Sequence, residues 1–227
     1  MRDPAGDLVA TGMAHHYPPA FGWISMILVS RHYRRRGLAT AGLHHATRHL
    51  CAQGLVPMLD ATPLGRTVHA PLGFCEVDAI WRWRRGDMAP DGAQLSGPAG
   101  GIATGLAALD TRAFDADRSG LFRDILCRKQ SLVVDSADGT APARAGRMAS
   151  HVGPICATDG AAAVRVLLRI TGGLTGPVIV DIPDRRCRRC DNAGLCPRTG
   201  VHAHGARSDH CFRRPTRVSA IAGPDLG

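Results

Sequence analysis

The chain has 227 residues, of which 44% are hydrophobic, enough to build one large or two small domains. Its formal net charge is +9, but nine arginines oppose only Asp191 and Asp209 between Arg185 and Arg217, so that one segment holds +7 of the excess. The rest is close to neutral, which argues against a nucleic-acid-binding surface, and Lys129 is the sole lysine, an arginine bias in keeping with a GC-rich gene. No run reaches the roughly eighteen apolar residues of a membrane helix, and Met1-Arg2-Asp3-Pro4 lacks the apolar core of a signal peptide. A cytoplasmic protein without membrane partners is expected. Cys51, Cys75, Cys127 and Cys156 are scattered singly through apolar segments, the pattern of reduced, buried thiols.

In chain order, a turn at Asp3-Pro4-Ala5-Gly6 leads into a strand over 8–13. The Pro18-Pro19 loop precedes an apolar strand, Trp23–Val29. Leu38, Leu43, Ala46 and Leu50 recur near helical spacing and predict a helix from Leu38, ended by Gly54. Val56–Asp60 reads as a short strand. Trp81 and Trp83 alternate with Arg82 and Arg84, predicting a strand over 75–84 with one buried face. The Gly-, Pro-, Asp- and Ser-rich stretch 86–101 marks a linker, taken as 89–101 between domains 1–88 and 102–184.

The second half predicts helices over 106–113 and 121–128, an extended piece over 131–134 and a polar hairpin or loop over 136–147. A strand near 148–155, a helix over 160–170 and a strand over 177–182 follow. Residues 185–217 have neither helical nor strand periodicity and are expected to be disordered and dispensable for stability. Their Arg/Cys/His/Gly/Pro composition reads as a frame-shifted segment, and 218–227 revert to ordinary composition.

The chemistry concentrates where the Trp23–Val29 strand runs through Arg34-Arg35-Arg36-Gly37 into Leu38-Ala39-Thr40. A strand that enters a helix through such a loop aims free N–H groups and the positive helix terminus at one spot, suited to phosphate. Flanking guanidinium groups pair with phosphate oxygens. Taken alone, the arrangement also reads as a plain strand–helix turn. However, Arg34-x-x-Gly37-x-Ala39 after Ile27-Leu28-Val29 resembles the coenzyme A loop of the GNAT acetyltransferase superfamily. The order of Leu55–Asp60, Ala61–Gly65, Leu72-Gly73-Phe74 and the last strand is similar to that family over about residues 7–85. Gly153-Pro154-Ile155 and Val180–Asp184 resemble the second unit of two-domain bacterial members.

The resemblance implies an α/β protein with a GNAT-like mixed central sheet and flanking helices, plus a second, smaller GNAT-like α/β unit. It implies transfer of an acetyl group from acetyl-CoA to an amine acceptor. The backbone of Ile27, Leu28 and Val29 would hold the pantetheine, with the Val29 N–H on the thioester carbonyl. Arg34, Arg35, Arg36, Gly37, Leu38, Ala39 and Thr40 would hold the pyrophosphate. His69 stands four residues before Gly73, where the family often has a tyrosine that protonates the leaving thiolate; Pro71 disfavours ordinary helical geometry there. No carboxylate stands out as a base. Met1 falls at the turn into the family's third strand, so the helices that wall the acceptor are expected to be missing. A catalytically impaired acyl-CoA-binding fragment is therefore the alternative.

Two metal patterns read as incidental. His45 and His49 share a helix face without a further ligand, and neighbouring His44 adds none; all three read as solvated. Cys187-x2-Cys190 with His204-x5-His210 has zinc-finger spacing, but Gly194, Pro197, Gly200 and Gly205 oppose the helix such a finger needs. No metal is expected.

Overall fold

Ala10–Tyr17 (β1) pairs antiparallel with the largely apolar Phe21–Val29 (β2), Tyr17 opposite Phe21 and Ala10 opposite Val29. In this computed structural model residues 1–19, 21–86, 102–114, 116–128, 131–183, 196–206 and 218–220 are described. The β1–β2 register shifts between Thr11, opposite Leu28, and Met13, opposite Ser25, so β2 carries one extra residue. Met26 lies in this bulge at φ +53°, and its carbonyl accepts from Thr11 Oγ1 at 2.9 Å. A Cβ on the facing Gly12 would sit 2.8 Å from Ile27 Cδ1, the movable end of that side chain.

A 3-10 turn, Arg31–Tyr33, leads through Gly37 into helix α1, Leu38–Cys51, whose Leu43, Ala46 and Leu50 pack with Ile24, Leu59 and Phe74. Val56–Ala61 (β3) then pairs parallel to β2. Thr62 Oγ1 accepts from the Gly65 N–H at 3.1 Å and so caps α2, Pro63–His69. Pro71, expected to oppose helical geometry, is absorbed by a 3-10 turn over Ala70–Leu72.

These elements form one of two units, Met1–Val77 with His202–Phe212 and Pro224–Gly227. Its sheet is completed by Cys196–Ala206 (labelled β10 for its place in chain order), which pairs antiparallel with β3 from His202 opposite Ala61 to Gly205 opposite Met58. The expectation that 185–217 lacks regular structure is thus corrected for residues 196–206. A ladder is built from backbone groups, so an open strand edge accepts a segment with no apolar periodicity. The other tail residues up to 217 lie outside the described set.

The second unit is Asp78–Val201 with Arg213–Gly223. Its first strand is the later part of β4, Phe74–Arg85, paired antiparallel with β9, Val178–Pro183, from Ile80 opposite Pro183 to Arg85 opposite Val178. Next to β9 runs β7 (Ser150–Val152), followed by β6 (Gly139–Arg144), β8 (Ile155–Ala157) and β11 (Val218–Ala220), while β5 (Leu132–Ser136) also pairs with β6. Three helices accompany the sheet: α3 (Ile102–Phe114), α4 (Ser119–Cys127) and α5 (Gly160–Gly172). Asp159 caps α5 by accepting from the Ala161 and Ala162 N–H groups at 2.7 and 2.9 Å. Trp83, Val166, Ile170, Val178 and Val180 share the core of this unit. Arg85, 6% exposed, donates to the carbonyls of Thr171 (2.6 Å) and Leu174 (2.8 Å) beyond the end of the α5 hydrogen-bond ladder.

Several sequence expectations change here. The strand expected near 148–155 is two, broken at Gly153-Pro154. The hairpin or loop expected over 136–147 is a hairpin, with Ser136 opposite Gly139; its returning strand is buried, and Thr140 Oγ1 donates to the Val134 carbonyl at 3.0 Å. Trp81 is exposed while Trp83 is buried. Of the four scattered cysteines only Cys156 is buried; Cys51 and Cys127 lie on exposed helix faces and Cys75 is half-buried. The units divide at Val77/Asp78, inside β4, rather than at 88. The expected linker, 89–101, lies outside the described residues.

Candidate functional site

The β2–β3 ladder stops at Ile24 opposite Leu59, yet β2 runs on to Val29 and β3 to Ala61. With Met26 bulged, the strands part and leave a cleft of about 470 Å³ bounded by Ser25, Ile27, Asp60, Thr62, Val68 and His69. Leu28 and Ala39 also border it, which links the fork to the start of α1. Ile24, Leu59 and Ala61 pack on the α1 side, so strand alternation places Ser25 and Asp60 on the opposite face. The Ser30 N–H donates to the Val9 carbonyl at 2.8 Å, and alternation therefore turns the N–H and C=O of Val29 away from β1. Arg34 Nε donates to that Val29 carbonyl at 3.4 Å.

Below the fork the loop is held in an unusual conformation. Arg35 has φ +59° and Gly37, the residue before α1, has φ +75°. No side chain caps α1, so the N–H groups of Leu38, Ala39 and Thr40 lack an acceptor within the helix and carry its positive end. Arg36 stacks 5.1 Å from the Tyr33 ring centre, and Tyr33 donates to Asp3 at 2.6 Å. That bond pins the loop to the N-terminal turn, raises the Tyr33 pKa and lowers that of Asp3. The sequence-predicted set Ile27–Val29 and Arg34–Thr40 therefore lies along one fork and the helix terminus beneath it. This donor set fits a pyrophosphate.

His69 ends α2 on the cleft wall, half-buried, its ring 6.2 Å from Phe74. Burial lowers its pKa below the ordinary histidine value, so the neutral imidazole prevails at neutral pH. Two cleft residues escaped sequence reasoning, Ser25 and Asp60. The available signal was an aspartate inside an otherwise apolar strand, Val56-Pro57-Met58-Leu59-Asp60-Ala61.

Among the described residues no group of three side chains could hold a metal, and no helix is long and apolar enough to cross a membrane. His49 lies 3.0 Å from Gln53 Nε2 and contacts the His16 ring. Cys187, Cys190 and His210 of the zinc-finger spacing lie outside the described residues.

A central mixed sheet with a bulged strand, a forked parallel pair and an uncapped helix beneath it defines an acyltransferase-type α/β architecture. The GNAT acetyltransferase family model matches residues 2–74, and a GNAT acetyltransferase domain model matches residues 106–193. A solved candidate acetyltransferase from Pyrococcus horikoshii superposes with a TM-score of 0.77 at 18% identity, covering 96% of this chain and 76% of that one. A GCN5-related N-acetyltransferase from Sphaerobacter thermophilus gives 0.60 at 13% identity, with 93% and 81% covered. One from Kribbella flavida gives 0.57 at 13% identity, with 87% and 57% covered. At these identities the likeness speaks for fold alone. No curated protein matches the sequence. By two separate family matches and by fold, the chain belongs to the GNAT acetyltransferase superfamily, in a two-domain arrangement.

Proposed function

We propose that this protein transfers an acetyl group from acetyl-CoA to an amine. The observation that carries the reading is the fork of β2 and β3 directly over the uncapped start of α1. In this reading the pyrophosphate lies on the N–H groups of 37–40 with Arg34–Arg36 around it, and the pantetheine runs along Ile27–Val29 in the fork. The Val29 N–H, turned away from β1, donates to the thioester carbonyl and stabilises the negative charge that develops when the amine attacks. C–N bond formation gives a tetrahedral adduct. Its collapse breaks the C–S bond, and the thiolate takes a proton. His69, neutral and on the cleft wall, is positioned to donate its N–H to the departing sulfur or relay the proton. An acetyl-CoA donor also favours a cytoplasmic protein.

Calorimetry with acetyl-CoA and amine-dependent CoA release test the reading. Failure to bind acetyl-CoA overturns it. Binding without release from any amine would leave an acyl-CoA-binding protein in place of an enzyme.

A further inference from the structure

The N-terminal turn lies against the arginine loop, and one carboxylate organises both. Asp3 Oδ1 accepts from the N–H groups of Ala5 (3.0 Å) and Asp7 (2.9 Å). The Asp3 carbonyl takes the Gly6 N–H at 2.9 Å, and its own N–H donates to Asp7 at 3.0 Å. Arg2 Nη1 donates to the Gly6 carbonyl at 2.6 Å, and Arg2 forms a β-bridge with Leu8. The turn is therefore closed around one oxygen of Asp3. The other oxygen, Oδ2, takes the Tyr33 hydroxyl at 2.6 Å, thirty residues along the chain. Tyr33 ends the 3-10 turn that leads from β2 into the loop, and Arg36 lies over its ring, 5.1 Å from the centre. Arg36 directly precedes Gly37 and the uncapped start of α1. Asp3 is committed to the turn and to the phenol, and among the described residues no carboxylate forms an ion pair with Arg36.

Resting on the acetyl-transfer reading, we propose that Asp3 and Tyr33 are positioning residues for the acyl-CoA donor: their bond fixes the phenol ring as a platform that presents Arg36 to the donor's phosphates. A guanidinium held over an aromatic face still has N–H donors to offer an anion. Restraint of that long side chain before binding removes part of the ordering cost of the complex. A phenol that donates to a carboxylate also has a more electron-rich ring, which strengthens its hold on the cation. Charge alone gives the opposite expectation for Asp3. Removing a carboxylate beside a site for a polyanion should tighten binding, whereas the clamp makes that carboxylate favour it. The sign of the effect separates the two.

The test measures acetyl-CoA affinity by calorimetry, which needs no acceptor amine, with thermal melts to follow folding. Asp3→Ala and Tyr33→Phe each remove the clamp bond and should each raise Kd about 2–5-fold, and together no further. Arg36→Ala should raise Kd roughly 10–150-fold, the worth of one charge-assisted hydrogen bond, and Tyr33→Phe added to it should have no additional effect. Tyr33→Leu, which removes the ring as well, should weaken binding more than Tyr33→Phe. Wild-type or tighter binding by a folded Asp3→Ala protein overturns the proposal. So does a double variant in which the Tyr33→Phe and Arg36→Ala effects multiply, since Tyr33 would then not act through Arg36. If the wild type binds no acetyl-CoA, the transferase reading falls and the clamp with it; if the wild type binds and the clamp variants match it, only the clamp falls. Should Asp3→Ala disrupt the turn, the Tyr33→Phe and Arg36→Ala cycle decides, because Tyr33→Phe leaves both backbone bonds to Asp3 Oδ1 in place.

Discussion

Gly37 and Gly54 bracket the same helix with nearly the same backbone angle, φ +75° and +72°, and a Cβ at either would meet nothing within 4 Å. Replacing each by alanine therefore imposes the same left-handed strain, about 1–2 kcal/mol, with no clash inside the protein. For a chain of this size that corresponds to a fall of roughly 2–8 °C in Tm for both variants. Only Gly37 adjoins the N–H groups proposed to hold the pyrophosphate, and the open space at its Cα is where a phosphate would lie. Gly37→Ala should therefore also forfeit one or two charge-assisted hydrogen bonds, about 1.5–3 kcal/mol each. Acetyl-CoA Kd should rise roughly tenfold or more, while Gly54→Ala binds as the wild type does. Calorimetry and thermal melts on the pair separate the two effects. Equal acetyl-CoA affinity in both variants, with Tm lowered in both, would refute the assignment of the loop.

Because burial lowers the His69 pKa, activity that needs the neutral ring should fall as pH drops below about 6.5 toward its lowered folded value. His69→Gln should lose that limb of the kcat/KM profile and about a hundredfold in rate; an unchanged profile removes His69 from the chemistry. In the second unit, burial opposes ionisation of Asp181, but bonds from Arg82 (2.8 Å) and His151 (3.0 Å) outweigh it and lower its pKa. The His151 pKa is also lowered, by burial. A lowered folded pKa means the unfolded chain binds more protons, so stability is full above the unfolded value and declines on acidification. For His151 this loss begins below about pH 6.5 and for Asp181 below about 4, and melts of His151→Gln should be flatter across the upper window. Asp110 and Arg118 form a fully buried pair at 2.6 Å, and removing one partner with Asp110→Ala should cost about 3–5 kcal/mol, read as a lower Tm. Cys156, its thiol pKa pushed up by burial and by the nearby Asp110, should label only on unfolding, whereas exposed Cys51 and Cys127 label at once by peptide mapping.

What the sequence disclosed follows from how local each signal was. Helix α1 was legible because Leu43, Ala46 and Leu50 repeat within one element, and the phosphate loop because its glycine and arginines are contiguous. The face occupied by Asp60 was not, since it depends on where the parallel β2–β3 ladder ends, a contact between residues more than thirty positions apart. The tail strand escaped for a related reason: its pairing with β3 is a property of the backbone and leaves no apolar period to read. The unit boundary was hidden because β4 is one uninterrupted strand whose Phe74 packs in the first core and Trp83 in the second.

That shared strand bears on how the gene can be dissected. The segment matched to the second family domain begins at 106, well after β4, yet Trp83 fills the core of that unit and Arg85 ties off α5. A fragment begun at residue 102 would leave the β9 edge bare, the α5 carbonyls unpaired and a tryptophan-sized void among Val166, Ile170 and Val180. A polypeptide nicked between 86 and 102 would instead keep all six β4–β9 rungs, from Ile80 to Arg85, and its two pieces should remain associated as a complementing pair.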